Sequence, residues 1–137
     1  MKFPDVFYYI GESAFRNCTS LNSITIPLTV TNIKDYAFAN CSALSNSLII
    51  PSDVHTLGKY AFSGCSKLPS VTILGNLSYT GVGEYAFANC SSLSSVVLSN
   101  DISTIGRYAF YCCDDLTSIT LPENLKAIKD YTFQGCS

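Results

Sequence analysis

Charge is scarce in this chain of 137 residues, with only 13% Asp, Glu, Lys and Arg. Its eight basic residues are scattered singly, so it lacks the electrostatic footprint that binds nucleic acid or acidic lipid. No apolar run approaches the ~20 residues of a membrane span, which excludes insertion as a helix. There is one histidine, His55, in a loop-like segment before Leu57. A Ser-His or Cys-His dyad would have to use it, and in that setting it reads as a surface residue. No phosphate-binding glycine loop is present: Gly11, Gly58, Gly83 and Gly106 recur as turn positions, and Lys34 and Lys129 replace them elsewhere. The cysteines do not converge in short Cys-x-x-Cys pairs, so no metal site is expected. Nothing here suggests catalytic, cofactor-binding or metal-ligating residues, and the chain reads as a non-enzyme.

What is present is a large apolar share, 47% of residues, enough for an ordered domain with a core. The net charge is −2. Seven cysteines are many for a cytosolic protein and odd in number for a fully paired secreted one, so they leave the compartment open. Met1-Lys2-Phe3-Pro4-Asp5 lacks the apolar core of a secretory signal, which decides little if the chain is a segment of something longer.

A repeat dominates the sequence. Ala-Phe recurs at Ala14-Phe15, Ala37-Phe38, Ala61-Phe62, Ala86-Phe87 and Ala109-Phe110, then as Thr132-Phe133. Three residues after each Phe stands a Cys: Cys18, Cys41, Cys65, Cys90, Cys113 and Cys136, at intervals of 23, 24, 25, 23 and 23. Leu21, Leu44, Leu68, Leu93 and Leu116 follow the first five. Then come the alternating segments Ile24-Thr25-Ile26, Leu48-Ile49-Ile50, Val71-Thr72-Ile73, Val96-Val97-Leu98 and Ile119-Thr120-Leu121. Repeats start near residues 10, 33, 57, 82 and 105, with partial units at 1–9 and 128–137, in one repeat domain over 1–137.

Alternation with β-branched residues predicts five short strands, stopped by Pro27, Pro51 and Pro122 where they occur. The Ala-Phe-x-x-Cys stretch is too short for a free helix. It is expected to form a turn of helix or a 3₁₀ piece on the opposite wall. One unit cannot bury its Leu, Ile and Phe alone, so units must stack and place equivalent strands in a parallel sheet. Stacking makes the phenylalanines an internal spine. The extra residues around Ser45-Asn46 and from Leu74 to Gly81 are expected to bulge as edge loops.

The segments Ile33-Lys34-Asp35-Tyr36-Ala37-Phe38-Ala39-Asn40-Cys41-Ser42 and Leu116-Thr117-Ser118-Ile119-Thr120-Leu121-Pro122 resemble the BspA-like, or Treponema pallidum-type, leucine-rich repeat. The resemblance covers nearly the whole chain. It implies an α/β repeat solenoid: a right-handed leucine-rich-repeat superhelix with a concave parallel β-sheet and short helical or 3₁₀ segments on the convex side. It also implies a protein-binding or cell-adhesion module of a cell-surface or extracellular protein, with a host matrix or surface protein, or a glycan, as partner. A structural spacer or self-assembling repeat segment without a dedicated ligand is the alternative.

The concave face is the default binding surface of such solenoids. Its outward positions form two columns, Ser23, Ser47, Ser70, Ser95 and Ser118, and Thr25, Ile49, Thr72, Val97 and Thr120. The face is uncharged and small, about 300 Å² against the ~800 Å² per partner of a standard interface. It reads either as a platform for protein or glycan or as a solvated sheet surface.

The remaining columns read as structure. Tyr36, Tyr60, Tyr85, Tyr108 and Tyr131 are expected to stack along one flank. The six repeated cysteines are expected to be reduced, buried thiols, because stacked equivalent residues have parallel Cβ vectors that suit a disulfide poorly. Cys112, beside Cys113, breaks the pattern and is expected to be the exposed thiol. Asn17, Asn40, Asn76 and Asn89 match the glycosylation acceptor pattern, three of them at one repeat position. The register at both ends falls inside a repeat without a polar capping unit, so the chain reads as a segment of a longer repeat protein. The alternative is a short protein whose bare ends associate end to end.

Overall fold

The computed structural model describes residues 1–137. The chain winds into a parallel-strand β-solenoid of about five turns. Eight short strands form two walls: β1 Tyr9–Ile10, β2 Asn32–Ile33, β3 Leu48–Ile50, β4 Thr56–Leu57, β5 Ser70–Ile73, β6 Ser95–Leu98, β7 Thr104–Ile105 and β8 Ala127–Ile128. On one wall β3, β5 and β6 pair in parallel, with Ile49 opposite Thr72 and Thr72 opposite Val97. On the other, β1 pairs with β2 and β2 with β4, and β7 pairs with β8. Val82 bridges Leu57 to Ile105 and joins these groups into one wall.

Three of the five expected strands pair as the sequence predicts. Ile24-Thr25-Ile26 and Ile119-Thr120-Leu121 make no ladder. For the first, the cause is the extra residue in the second unit. The Asn46 side chain accepts from Ile24 N–H at 3.1 Å and donates to Ile24 C=O at 2.8 Å, so an amide side chain stands where a neighbouring strand would. The insertion is thus a bridge rather than a bulge. Residues 74–81 divide: Leu77 enters the core while Tyr79 projects entirely into solvent. Nothing in the structure explains the missing ladder at Ile119-Thr120-Leu121.

The expected helical or 3₁₀ pieces are absent, and a third wall of turns takes their place. In the second unit, alternate N–H groups close i to i+3 turns: Ala37 donates to Lys34 C=O, Ala39 to Tyr36 C=O and Cys41 to Phe38 C=O. The N–H groups between them point sideways to the next coil, Tyr36 to Lys59 C=O, Phe38 to Ala61 C=O and Asn40 to Ser63 C=O, at 2.7–2.8 Å. This alternation goes with left-handed backbone at two positions four residues apart, with φ of 59° at Tyr36 and 60° at Asn40. Spacing excludes a helix here. Equivalent Phe rings in successive coils lie 5.0–5.6 Å apart, close to the strand spacing of ~4.8 Å, whereas packed helices need ~8–10 Å between axes.

The interior follows from these walls. Phe15, Phe38, Phe62, Phe87, Phe110 and Phe133 stack with interplanar angles of at most 8°. Ile33, Leu44, Leu68, Val71 and Ile105 fill the space beside them. Pro27, Pro51 and Pro122 each end a segment and open a turn, since Val30 donates to Pro27 C=O, Val54 to Pro51 C=O and Leu125 to Pro122 C=O. Of 70 backbone–backbone hydrogen bonds only 9 lie within the strands, so turns and coil-to-coil bonds hold most of the backbone.

A gap in the phenylalanine stack cannot be closed by one coil without disturbing its neighbours. Phe62→Ala is expected to lower unfolding stability by about 3–5 kcal/mol. Tyr60→Ala, on the half-exposed flank, is expected to cost clearly less. Urea denaturation followed by circular dichroism compares the two.

Candidate binding surfaces

All ten Ser/Thr-face positions reach the surface. Ser23, Thr25, Ser47, Ser95, Ser118 and Thr120 are exposed, Ser70 and Thr72 half-buried. Ile49 and Val97 are about half exposed, at 54% and 53%, and flank Thr72 in register. The structure therefore brings together Ser70, Ser95, Ile49, Thr72 and Val97 on a paired sheet. It leaves Ser23, Thr25, Ser118 and Thr120 on unpaired segments at either side. Strand alternation explains this placement: Leu48, Val71 and Val96 turn inward and their neighbours must turn outward. A shallow cavity of 170 Å³ lies beside the patch, lined by Leu28, Asn46, Ile49 and Pro51. No charged side chain lines it, so it offers shape, hydroxyls and apolar contact rather than ionic attraction.

The tyrosine flank is a continuous stack. Tyr36, Tyr60, Tyr85, Tyr108 and Tyr131 follow one another at centroid distances of 4.5–4.9 Å. The first unit carries Ser13 at this position. There Arg16 lies over the Tyr36 ring at 4.7 Å and covers the end of the stack. Burial, followed by the neighbouring phenols of Tyr85 and Tyr36, raises the pKa of Tyr60.

The thiols form a ladder of their own. Cys41 Sγ donates to Phe15 C=O, Cys65 to Phe38, Cys90 to Phe62, Cys113 to Phe87 and Cys136 to Phe110, at 3.1–3.3 Å. Cys41, Cys65, Cys90 and Cys113 are buried and Cys18 and Cys136 half-buried. Burial pushes the Cys41 thiol up to about 11 and the Cys113 thiol up to about 12, and raises Cys65 and Cys90 as well. Cys112 is half-buried like the two end members, so it is not the single exposed thiol expected from sequence. It sits at a left-handed position, φ 52°, that Asn17, Asn40, Gly64, Asn89 and Gly135 hold in other units. That backbone requirement accounts for three of the four glycosylation-like asparagines. His55 is exposed.

The wall containing β2, β4, β7 and β8 carries a larger feature that sequence reading missed. A groove of 470 Å³ crosses it, with Gly58, Gly83 and Gly106 in its lining and Lys59, Glu84, Arg107 and Lys129 among its charged groups. A Cβ on Gly83 would lie 2.5 Å from Gly58 C=O, so this position must stay bare. The only sequence signal was the recurring glycine followed by a charged residue, which by itself reads as a turn.

Two walls of parallel strands, a wall of turns, and ladders of Phe, Tyr and Cys define a β-solenoid built from leucine-rich repeats. The family model described as the BspA type leucine rich repeat region matches residues 1–83 and 78–137. The chain belongs to this family, whose members are generally protein-interaction modules. A crystal structure of a leucine-rich repeat protein from Bacteroides ovatus is similar at 35% identity and TM-score 0.63, over 96% of this chain. One from Eubacterium ventriosum is similar at 26% identity and TM-score 0.61, over 84% of this chain. The chain spans 42% of the first protein and 37% of the second, less than half of either. No curated protein matches the sequence. No helix is long and apolar enough to cross a membrane.

The thiol ladder generates a pH prediction. In the unfolded chain Cys113 loses its proton near the ordinary 9.0, while in the fold it holds it to about 12. Protons are therefore bound more tightly in the native state, and its contribution is complete below pH 9 and is lost as pH rises toward 12. Urea midpoints are expected to fall across that interval, and less steeply for Cys113→Ala than for the unsubstituted chain.

Proposed function

We propose that this chain is a non-catalytic interaction module of an extracellular or cell-surface protein, and that its Ser/Thr face contacts a protein partner in adhesion. The observation that carries the reading is the exposed, uncharged patch of Ser70, Ser95, Ile49, Thr72 and Val97 on paired strands. Half-exposed Ile49 and Val97 side chains, on a rigid sheet and next to hydroxyls, supply apolar contact at little ordering cost. Family membership supports the interaction role. Adhesion, surface display, host matrix proteins as partners and a glycan as alternative ligand come from the resemblance of the repeat.

The patch is narrow for a standard interface, so binding by this chain alone is weak and grows with the number of coils presented. Surface plasmon resonance over immobilised host matrix proteins is the test. The unsubstituted chain is expected to bind at least one of them. Thr72→Glu combined with Val97→Glu is expected to weaken that binding about tenfold or more, because each outward position then buries an unpaired charge. Undiminished binding by this variant, with its circular dichroism spectrum unchanged, overturns the assignment of the face. Absence of binding to any matrix protein overturns the adhesion reading.

A further inference from the structure

The groove on the β2–β4–β7–β8 wall has a built asymmetry of charge. At one end Lys59 Nζ lies 3.4 Å from Glu84 Oε2, and Lys59 N–H donates to Asp35 Oδ1 at 2.8 Å. Its acidic groups are therefore satisfied there. At the other end stand Arg107 and Lys129, both exposed. Neither forms an ion pair, the Lys59–Glu84 contact being the only one in the protein. They belong to adjacent coils, since Ile105 pairs with Ile128, and so Lys129 stands opposite Gly106. Lys129 occupies the unit position that glycine holds in the three coils before it, and its side chain meets a groove those glycines leave open. In its own column Arg107 stands between Glu84 and Asp130 of the adjoining coils, and no salt bridge joins it to either. Arg107 Cζ lies 5.8 Å from the Tyr108 ring centroid, which orients its guanidinium.

The Leu74–Gly81 insertion runs into the groove at Thr80 and Val82. Gly81, with φ of +67°, delivers the chain to Val82, which makes isolated bridges where its neighbours make two-residue strands. Thr80 and Thr104 add hydroxyls to the lining. Thr80 Oγ1 is already engaged, donating to His55 C=O at 2.9 Å. The volume of 470 Å³ lies within the ~300–1,000 Å³ of small-ligand sites.

We propose that this groove is a second binding site, which takes an acidic peptide segment with a carboxylate held between Arg107 and Lys129. The guanidinium fork pairs with both carboxylate oxygens and the ammonium adds a third donor. The peptide main chain runs over the glycine floor toward Lys59. Mixed charge favours a peptide over a polyanionic saccharide. A polyuronate crossing the groove meets Glu84 and Asp35, whereas a peptide concentrates its negative charge at one end. The site is independent of the Ser/Thr face, on a different wall, so either assignment can fail while the other stands.

The test is fluorescence anisotropy at low ionic strength with two fluorescein-labelled, C-terminally amidated hexapeptides, one of four Gly followed by two Asp and one with Asn in place of Asp. The chain is expected to bind the Asp probe about tenfold more tightly than the Asn probe. Arg107→Gln with Lys129→Gln is expected to abolish that preference. Thr104→Tyr, which fills the groove without changing charge, is expected to weaken binding similarly. Lys67→Gln removes a lysine outside the groove and is expected to leave it unchanged. Equal affinity for the two probes overturns the proposal. So does retained preference in the Arg107/Lys129 variant, equal loss on Lys67→Gln, or tighter binding of oligogalacturonate than of the Asp peptide. Arg107 and Lys129 are exposed, so their variant reports on the site even if Thr104→Tyr does not fold.

Discussion

Everything in this solenoid depends on a coil-to-coil distance of about 5 Å on the turn wall as well as on the strand walls. Phe38 shows how the distance is enforced. Its ring lies parallel to those of Phe15 and Phe62, each 5.0 Å away, and its N–H donates to Ala61 C=O at 2.7 Å. Stacking and hydrogen bond demand the same spacing, so neither is strained to suit the other. The spacing leaves no room for helices and forces the backbone into alternating turns. Tyr36 and Asn40 accept left-handed φ values because the sideways hydrogen bonds they enable repay a conformational cost of ~1 kcal/mol or more each.

The same spacing explains why cysteine occupies its column. The Phe carbonyl at each coil already accepts the Cys N–H three residues on, and it has a second lone pair facing the next coil. A thiol from that coil reaches it at 3.1–3.3 Å. Alanine would leave a void and serine would bring a more strongly hydrated hydroxyl into an apolar wall. The cost of this choice is confined to alkaline pH, where burial keeps the thiols protonated.

Coils fixed at this distance turn each repeat position into a straight column on the surface, and function is read across coils. The Ser/Thr face is one such surface, featureless in charge. The glycine groove is another, interrupted where residues 74–81 loosen the ladder and where Lys129 takes a position that glycine holds elsewhere. Departures from the repeat thus mark the chemically distinct places. In the neighbouring unit Asn46 is the counterexample: its insertion is absorbed by two side-chain bonds to Ile24 and leaves the core undisturbed.

Sequence alone determined the period, the family, and the inward columns of Phe, Cys and Leu. Each is set by residue type at fixed intervals, and burying them requires stacking. It also identified which residues of Leu48–Ile50, Ser70–Ile73 and Ser95–Leu98 face outward, because strand alternation follows from the pleat. It could not show the second wall, whose strands are two residues long and carry no periodicity beyond one buried Ile33, Leu57 or Ile105. It allowed the Ala-Phe-x-x-Cys stretch a turn of helix or a 3₁₀ piece, because the length of the stretch does not register a neighbour 5 Å away. Only the tertiary structure decided that those N–H groups alternate between their own turn and the next coil. It alone brought Arg107 and Lys129 together across the groove. Their separation of 22 positions in sequence becomes one coil step in space, and nothing in either residue's local context encodes that step.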